Sequence, residues 1–303
     1  MNGLTLKHLR YFAALAQYRH FANAADASGI SQPALSLQIK QLEELTGTSL
    51  VERGGRNVQL TALGEDLAQR AEAILRSVDD IGDVVRAAQS ELAGPFRLGV
   101  IPTIAPYLLP PVVQAVSAKY PKIDLNLRET ITDRLVEETA RGEIDAALVA
   151  LPISHTAFTQ VELFSESFVL VRHPSEKAVP VPDVETLQHM RLLLLEEGHC
   201  FREQALEFCN VGTKPARNIM DGSSLTTLVQ MVASGLGLTL IPEMAARIEA
   251  QSADVSLSSF PDPQPQRRIG MLWRKNNPLE AHLYDVADIV RDVGTKLSQR
   301  SFA

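Results

Sequence analysis

The stretch from Thr61 to Glu91 decides most of what this chain can fold into. It contains no proline, and Leu67, Ala71, Ile74, Val78, Ile81, Val85 and Ala88 recur in alternating steps of four and three. Such spacing lays one apolar seam along a single long helix, as in a heptad repeat. A seam of this regularity calls for a partner helix, and the spacing predicts a coiled-coil-like linker that pairs subunits. Gly94 and Pro95 then end the helix. The chain therefore divides into a head over 1–60, a linker over 61–91 and a body over 92–303.

Leu6, Leu9, Phe12, Ala13 and Ala16 give the head a first helix, and Phe21, Ala24 and Ala25 a short second one. After a turn at Gly29, Ser31, Gln32 and Pro33 open a third helix with a capping hydroxyl and a proline in its first turn. Its buried stripe is Leu35, Ile39, Leu42 and Leu45, and Gln32, Ser36 and Lys40 form a polar stripe. This is the pattern of a helix-turn-helix whose third helix enters a major groove, with Gln38 also available to a base edge. Arg53, Gly54, Gly55 and Arg56 suggest a wing laid against phosphates. An ordinary three-helix unit with a solvated polar face fits the same pattern.

In the body, 96–101, 123–127 and 144–151 read as strands separated by helices over 107–120 and 133–141, which predicts a parallel α/β sheet. A second set follows at 168–171 and 192–195 and in a helix-strand pair over 225–241, with a strand over 268–273 and a closing helix over 278–297.

Charge separates the parts. The net charge of −7 argues against nucleic acid, yet Lys7, Arg10, Arg19, Lys40, Arg53 and Arg56 outweigh Asp26, Glu43, Glu44 and Glu52 in the head, leaving it at +2 and the rest at −9. A basic head on an acidic body is compatible with DNA binding by the head alone. No apolar run is long enough to span a membrane and no basic-then-apolar leader opens the chain, so a cytoplasmic protein is expected. No Cys/His cluster has ligand spacing, and neither metal nor cofactor is expected.

Only two cysteines are present, Cys200 and Cys209, at the two ends of a predicted helix that follows the run Leu192 to Leu195 and the turn Glu196, Glu197, Gly198. Nine helical residues advance about 13.5 Å and turn about 900°, which places the sulfurs on opposite faces. A disulfide needs Cα atoms roughly 4.4–6.8 Å apart. Helix and disulfide exclude each other, which is the logic of a two-state switch. Cys200, at the helix N-terminus with His199 and Arg202 beside it, is the expected reactive thiol, and Cys209 can trap its sulfenic acid. Two inert buried cysteines remain the alternative reading of the same spacing.

The residues themselves carry a resemblance. Phe21-Ala22-Asn23-Ala24-Ala25, Ser31-Gln32-Pro33-Ala34-Leu35-Ser36, Leu42-Glu43, Leu50-Val51-Glu52-Arg53 and Leu60-Thr61-Ala62-Leu63-Gly64 resemble the signature of the LysR-type transcription regulators. Gly198-His199-Cys200-Phe201-Arg202-Glu203-Gln204-Ala205, with Phe208-Cys209, resembles the sensing segment of the hydrogen-peroxide-responsive members of that family. The resemblance covers essentially the whole chain. It implies an α/β protein with an N-terminal winged helix-turn-helix, a long dimerising linker helix and a two-lobed regulatory domain of periplasmic-binding-protein type. Lobe I would take about 95–164 and 268–303, and lobe II about 165–267.

It further implies that Cys200 is peroxidatic and Cys209 resolving, with the hydroxyls of Thr103 and Thr132 near the reactive sulfur and His199 and Arg202 beside it. Asp145 is a further candidate by its place at a strand end. The implied partners are promoter double-stranded DNA, hydrogen peroxide, RNA polymerase, a thiol reductant such as glutaredoxin or thioredoxin, and further copies of the chain in a homodimer or homotetramer. The implied function is control of oxidative-stress defence genes by a regulator that is not an enzyme.

Two rival readings stay distinct. One keeps the regulator but gives the inter-lobe cleft to a small metabolite, and retention of the peroxide response after Cys200→Ser would favour it. The other is a thiol peroxidase, against which stand the helix-turn-helix and the absence of Cys-x-x-Cys.

Overall fold

A computed structural model describes residues 3–52, 58–87, 92–209 and 221–298. The chain forms two compact units, Met1–Val85 and Arg86–Ala303.

In the first unit, α1 (Leu6–Tyr18), α2 (Phe21–Ala27) and α3 (Gln32–Thr46) surround a core of Phe12, Leu15, Leu35, Leu42 and Leu50, each fully buried. The caps are those the sequence supplies. Ser31 Oγ accepts from the Ala34 amide at 3.4 Å at the start of α3, and Gly47, at φ 72°, ends it with its N–H on the Glu43 carbonyl. Only glycine takes that left-handed conformation without strain. The Glu43 carboxylate then accepts the amides of Leu50 (2.7 Å) and Val51 (3.2 Å), fixing the segment in which Val51 bridges Leu60 antiparallel.

Helix α4 (Ala62–Ala87) follows. Its seam is not uniform. Leu67 and Ala68 pack into the core of the head and Ala71 is fully buried, whereas Ile74, Ile81 and Val85 are exposed, as is Val84 beside them. Ala88 lies outside the described residues.

The second unit begins with β1 (Gly94–Val100), α5 (Ala105–Lys119), β2 (Ile123–Glu129), α6 (Thr132–Ala140) and β3 (Ala146–Leu151). Here β1 pairs parallel with both β2 and β3. Next come β4 (Phe158–Arg172), α7 (Val184–Leu187), β5 (Leu194–Leu195), α8 (Cys200–Phe208) and β6 (Asp221–Gly222). The chain closes with α9 (Leu225–Ala233), β7 (Thr239–Pro242), α10 (Glu243–Ser252), β8 (Ser256–Ser259), β9 (Gln266–Arg274) and α11 (Glu280–Ser298).

The main sheet runs β2-β1-β3-β9-β4-β7, with β8 also on β4, and β5 pairs parallel with β6 in a separate ribbon. The parallel arrangement expected of the first three strands holds in β2-β1-β3, and the sheet as a whole is mixed, since β9 is antiparallel to β3 and β4, and β4 is antiparallel to β7 and β8. The cause is β4, a strand of 15 residues of which the sequence pattern had shown only 168–171. Its first part pairs with β9 and its last part with β7 and β8.

Candidate functional site

The sensing segment starts from the buried leucines 192–195, of which Leu194 and Leu195 form β5. Gly198, at φ 94°, turns the chain, and a Cβ there would lie 3.0 Å from Ile131 Cδ1. Cys200 is the first residue of α8 and Cys209 its C-cap, with the Cys209 amide donating to the Ala205 carbonyl at 3.0 Å. Both cysteines are free thiols; Cys200 is half-buried and Cys209 fully buried. Burial pushes the Cys209 thiol up to about 11, so it is held protonated while α8 is intact.

Aromatic rings hold α8 down. Phe168 meets Phe201 at 5.0 Å and Phe208 at 6.4 Å between centroids, and Phe208 meets Phe260 at 5.0 Å, all edge to face. The Arg267 guanidinium lies 4.9 Å from the Phe201 ring centroid.

Two cavities flank this helix. Cys200 lines a half-open cleft of about 600 Å³ together with Thr132, Gly198, Gln204, Phe208 and Arg267. Thr132, at the start of α6, is 9% exposed, and its hydroxyl oxygen has no hydrogen-bond partner among the described residues. Gln204 Oε1, one turn beyond Cys200, is likewise buried without a partner. Thr103 and His199 instead line a smaller cavity of about 90 Å³ with Tyr107, Glu129 and the Ser224 end of α9. The structure thus sets Thr132 and Cys200 on one cavity and Thr103 and His199 on the other.

The remaining expected residues fall as follows. His199 is buried, and desolvation lowers its pKa against the weak opposing pull of Glu196 at 4.0 Å. The lowered pKa favours the neutral imidazole. Arg202 donates from Nη1 to the Leu195 carbonyl at 2.6 Å, tying the first turn of α8 to β5. Asp145 lines neither cavity. It accepts from the Arg97 amide at 2.7 Å and from Arg97 Nη2 at 2.7 Å, an ion pair that fastens the entry of β3 to β1. Its place at a strand entry, rather than a strand end, explains the difference.

Sequence reasoning missed Arg267 and Glu166. Their side chains are wholly buried, with Arg267 Nε 2.8 Å and Nη2 2.7 Å from Glu166 Oε1, and Arg267 Nη1 donates to the Thr103 hydroxyl at 2.9 Å. Burial pushes the Glu166 carboxyl upward and the guanidinium opposes this. The pair stands on β4 and β9 and joins those strands to Thr103 just beyond β1. Tyr107 provides a second buried link, donating to Glu249 at 2.6 Å on α10, where Thr226 of α9 also donates at 3.0 Å.

On the head, Ser31, Gln32, Pro33, Ser36 and Lys40 are all exposed along α3, and Lys40 makes only a long 3.8 Å pair with Glu44. Gln38 is half-buried, with its Nε2 on Gln41 Oε1 at 2.8 Å, off that stripe. Arg53 and Arg56 lie outside the described residues.

An N-terminal helix-turn-helix joined to a two-lobed α/β unit with a cysteine-bearing cleft defines a bacterial transcription regulator. The chain belongs to the LysR family: residues 6–65 match the bacterial regulatory helix-turn-helix of that family, and residues 89–295 match the LysR substrate binding domain. Within the family the similarity runs to OxyR. The chain is 40% identical to a probable hydrogen peroxide-inducible genes activator of Streptomyces viridosporus over 98% of this chain and 96% of that one. It is 36% identical to the DNA-binding transcriptional dual regulator OxyR of Escherichia coli over 95% of each chain. A full-length OxyR variant from Pseudomonas aeruginosa has the same fold, with TM-score 0.74, 34% identity and 96% of each chain covered.

Proposed function

We propose that this protein is a promoter-binding transcription regulator that senses hydrogen peroxide by reversible formation of a Cys200–Cys209 disulfide. The observation that carries the reading is the placement of the two thiols: Cys200 opens a single nine-residue helix on a cleft, and Cys209 closes the same helix in the core. A Cys200 thiolate attacks one peroxide oxygen, leaving a sulfenic acid and a hydroxide that takes a proton from solvent. The Cys209 thiol then displaces water from the sulfenic sulfur. The second step requires α8 to unwind, because about 13.5 Å of helical rise separates residues that a disulfide holds within roughly 6.8 Å. Thr132, which lines the cleft with Cys200 and Arg267, is the candidate to hold peroxide there, while Thr103 and His199 line the smaller cavity.

Ser31, Gln32, Pro33, Ser36 and Lys40 would face the major groove, with Arg53 and Arg56 toward phosphates. The exposed Ile74, Ile81 and Val85 of α4 suit a second copy in a homodimer or homotetramer. RNA polymerase at the promoter and a cytoplasmic thiol reductant such as glutaredoxin or thioredoxin complete the cycle.

Footprinting on promoter DNA before and after peroxide tests the reading. The wild-type footprint is expected to change and to revert with dithiothreitol, and Cys200→Ser to remain in the reduced pattern. A peroxide-dependent footprint in Cys200→Ser would transfer the function to a cleft metabolite.

A further inference from the structure

Cys200 opens onto a space far larger than hydrogen peroxide needs. A cleft of about 600 Å³ corresponds to about twenty waters at roughly 30 Å³ each and falls in the range of organic-ligand sites. Its apolar lining comes from the consecutive Leu151, Pro152 and Ile153 and from Phe168 and Phe208. Contacts within the protein hold these residues. Gln160 clamps the Ile153 backbone, donating from Nε2 to the carbonyl at 2.7 Å and accepting the amide at 3.2 Å, while Phe168 and Phe208 are held by their neighbouring rings.

The charges on the cleft indicate what kind of organic molecule suits it. Its two arginines are already engaged, Arg267 with Glu166 and Arg268 with Glu162 at 3.2 Å, and its other charged residues are Asp133, Glu203 and Glu207. Among the described residues, both cations that line the cleft are paired with carboxylates, so an organic anion is poorly suited to it. An uncharged molecule with an apolar body and one small polar end does fit, with Thr132 offering a buried hydroxyl whose oxygen has no partner among the described residues.

We propose that the Cys200 cleft takes uncharged alkyl hydroperoxides as oxidants in addition to hydrogen peroxide, with the alkyl group on the Leu151–Ile153 wall. This rests on the thiol-switch reading above. The Cys200 thiolate attacks the terminal oxygen of ROOH, the O–O bond breaks, and the sulfenic acid forms as an alkoxide leaves. The alkoxide takes a proton from solvent to become the alcohol. Cys209 then closes the disulfide and releases water, so the two-electron oxidation of the thiol pair is matched by reduction of one hydroperoxide.

The test uses the reduced full-length protein with hydrogen peroxide, tert-butyl hydroperoxide and cumene hydroperoxide, following disulfide formation by rapid acid quench and non-reducing peptide mapping. The alkyl reagents are expected to react within about tenfold of hydrogen peroxide, a gap of one transition-state decade. Ile153→Trp, which fills the wall, is expected to slow cumene hydroperoxide by about tenfold or more, the scale of steric discrimination in an apolar pocket, with hydrogen peroxide changed by less than about twofold. Ile153→Ala is the smaller variant and should keep both reactions. Alkyl rates about a thousandfold below hydrogen peroxide in the wild type, or Ile153→Trp slowing both oxidants equally, would overturn the proposal. Failure of hydrogen peroxide itself to form the disulfide would instead overturn the switch on which it rests.

Discussion

Phe208→Ala isolates what the reduced helix contributes to the switch. Phe208 is half-buried on the last turn of α8, beside Cys209, edge to face with Phe260 at 5.0 Å and with Phe168 at 6.4 Å. Truncating a fully buried Phe costs about 3–5 kcal/mol, and each aromatic pair accounts for about 0.5–1.5 kcal/mol beyond burial. Half burial with two such contacts puts the loss near 2 kcal/mol. Disulfide formation must unwind this turn, so the loss falls on the reduced state. At about 30 mV per 1.4 kcal/mol for a two-electron couple, the reduction potential should become more negative by about 40 mV. Equilibration in glutathione buffers of graded ratio, followed by acid quench and peptide mapping, gives the potential directly. An unchanged potential, or one shifted to more positive values, would refute the idea that the aromatic contacts oppose oxidation.

Three further outcomes are expected. Arg267→Met should lower stability by about 3–5 kcal/mol by stranding a buried Glu166 carboxylate, and adding Glu166→Gln should recover much of it, as read by thermal unfolding. Because Cys209 is held as a thiol up to about 11, its contribution is complete below the unfolded cysteine pKa of about 8.5 and is lost as pH rises toward 11, which amide hydrogen exchange of α8 against pH would detect. Ile81→Asp, at an exposed seam position, should leave helix content unchanged while shifting sedimentation toward smaller species; unaltered association would remove the seam from the subunit contact.

Local signals carried further than long-range ones. Ser31, Pro33 and Gly47 mark the ends of α3 through caps that act within four residues, and α8 was legible because its turn, both thiols and its apolar positions lie within 198–209. By contrast, β4 hid because Gln160, Glu162, Ser165 and Glu166 interrupt its apolar pattern, and its pairing is with a strand about a hundred residues later. The Arg267–Glu166 pair was invisible for the same reason: each charge alone reads as solvated, and only the closed pairing of β4 with β9 buries both. Thr103 was expected beside the reactive sulfur, but it is a buried hydroxyl on the smaller cavity with His199, a placement set by long-range packing that no local pattern shows. On α4, periodicity showed the seam but not that Leu67 and Ala68 are used by the head itself.

The central claim is that Cys200 and Cys209 join when peroxide is present, and a non-reducing peptide mass map of the full-length protein tests it most directly. Before treatment both cysteines should alkylate, after a near-stoichiometric dose of hydrogen peroxide one Cys200–Cys209 linked peptide should appear, and dithiothreitol should remove it. Two thiols that stay free after that dose, or a Cys200 that passes to sulfinic acid while Cys209 remains unmodified, would contradict the account.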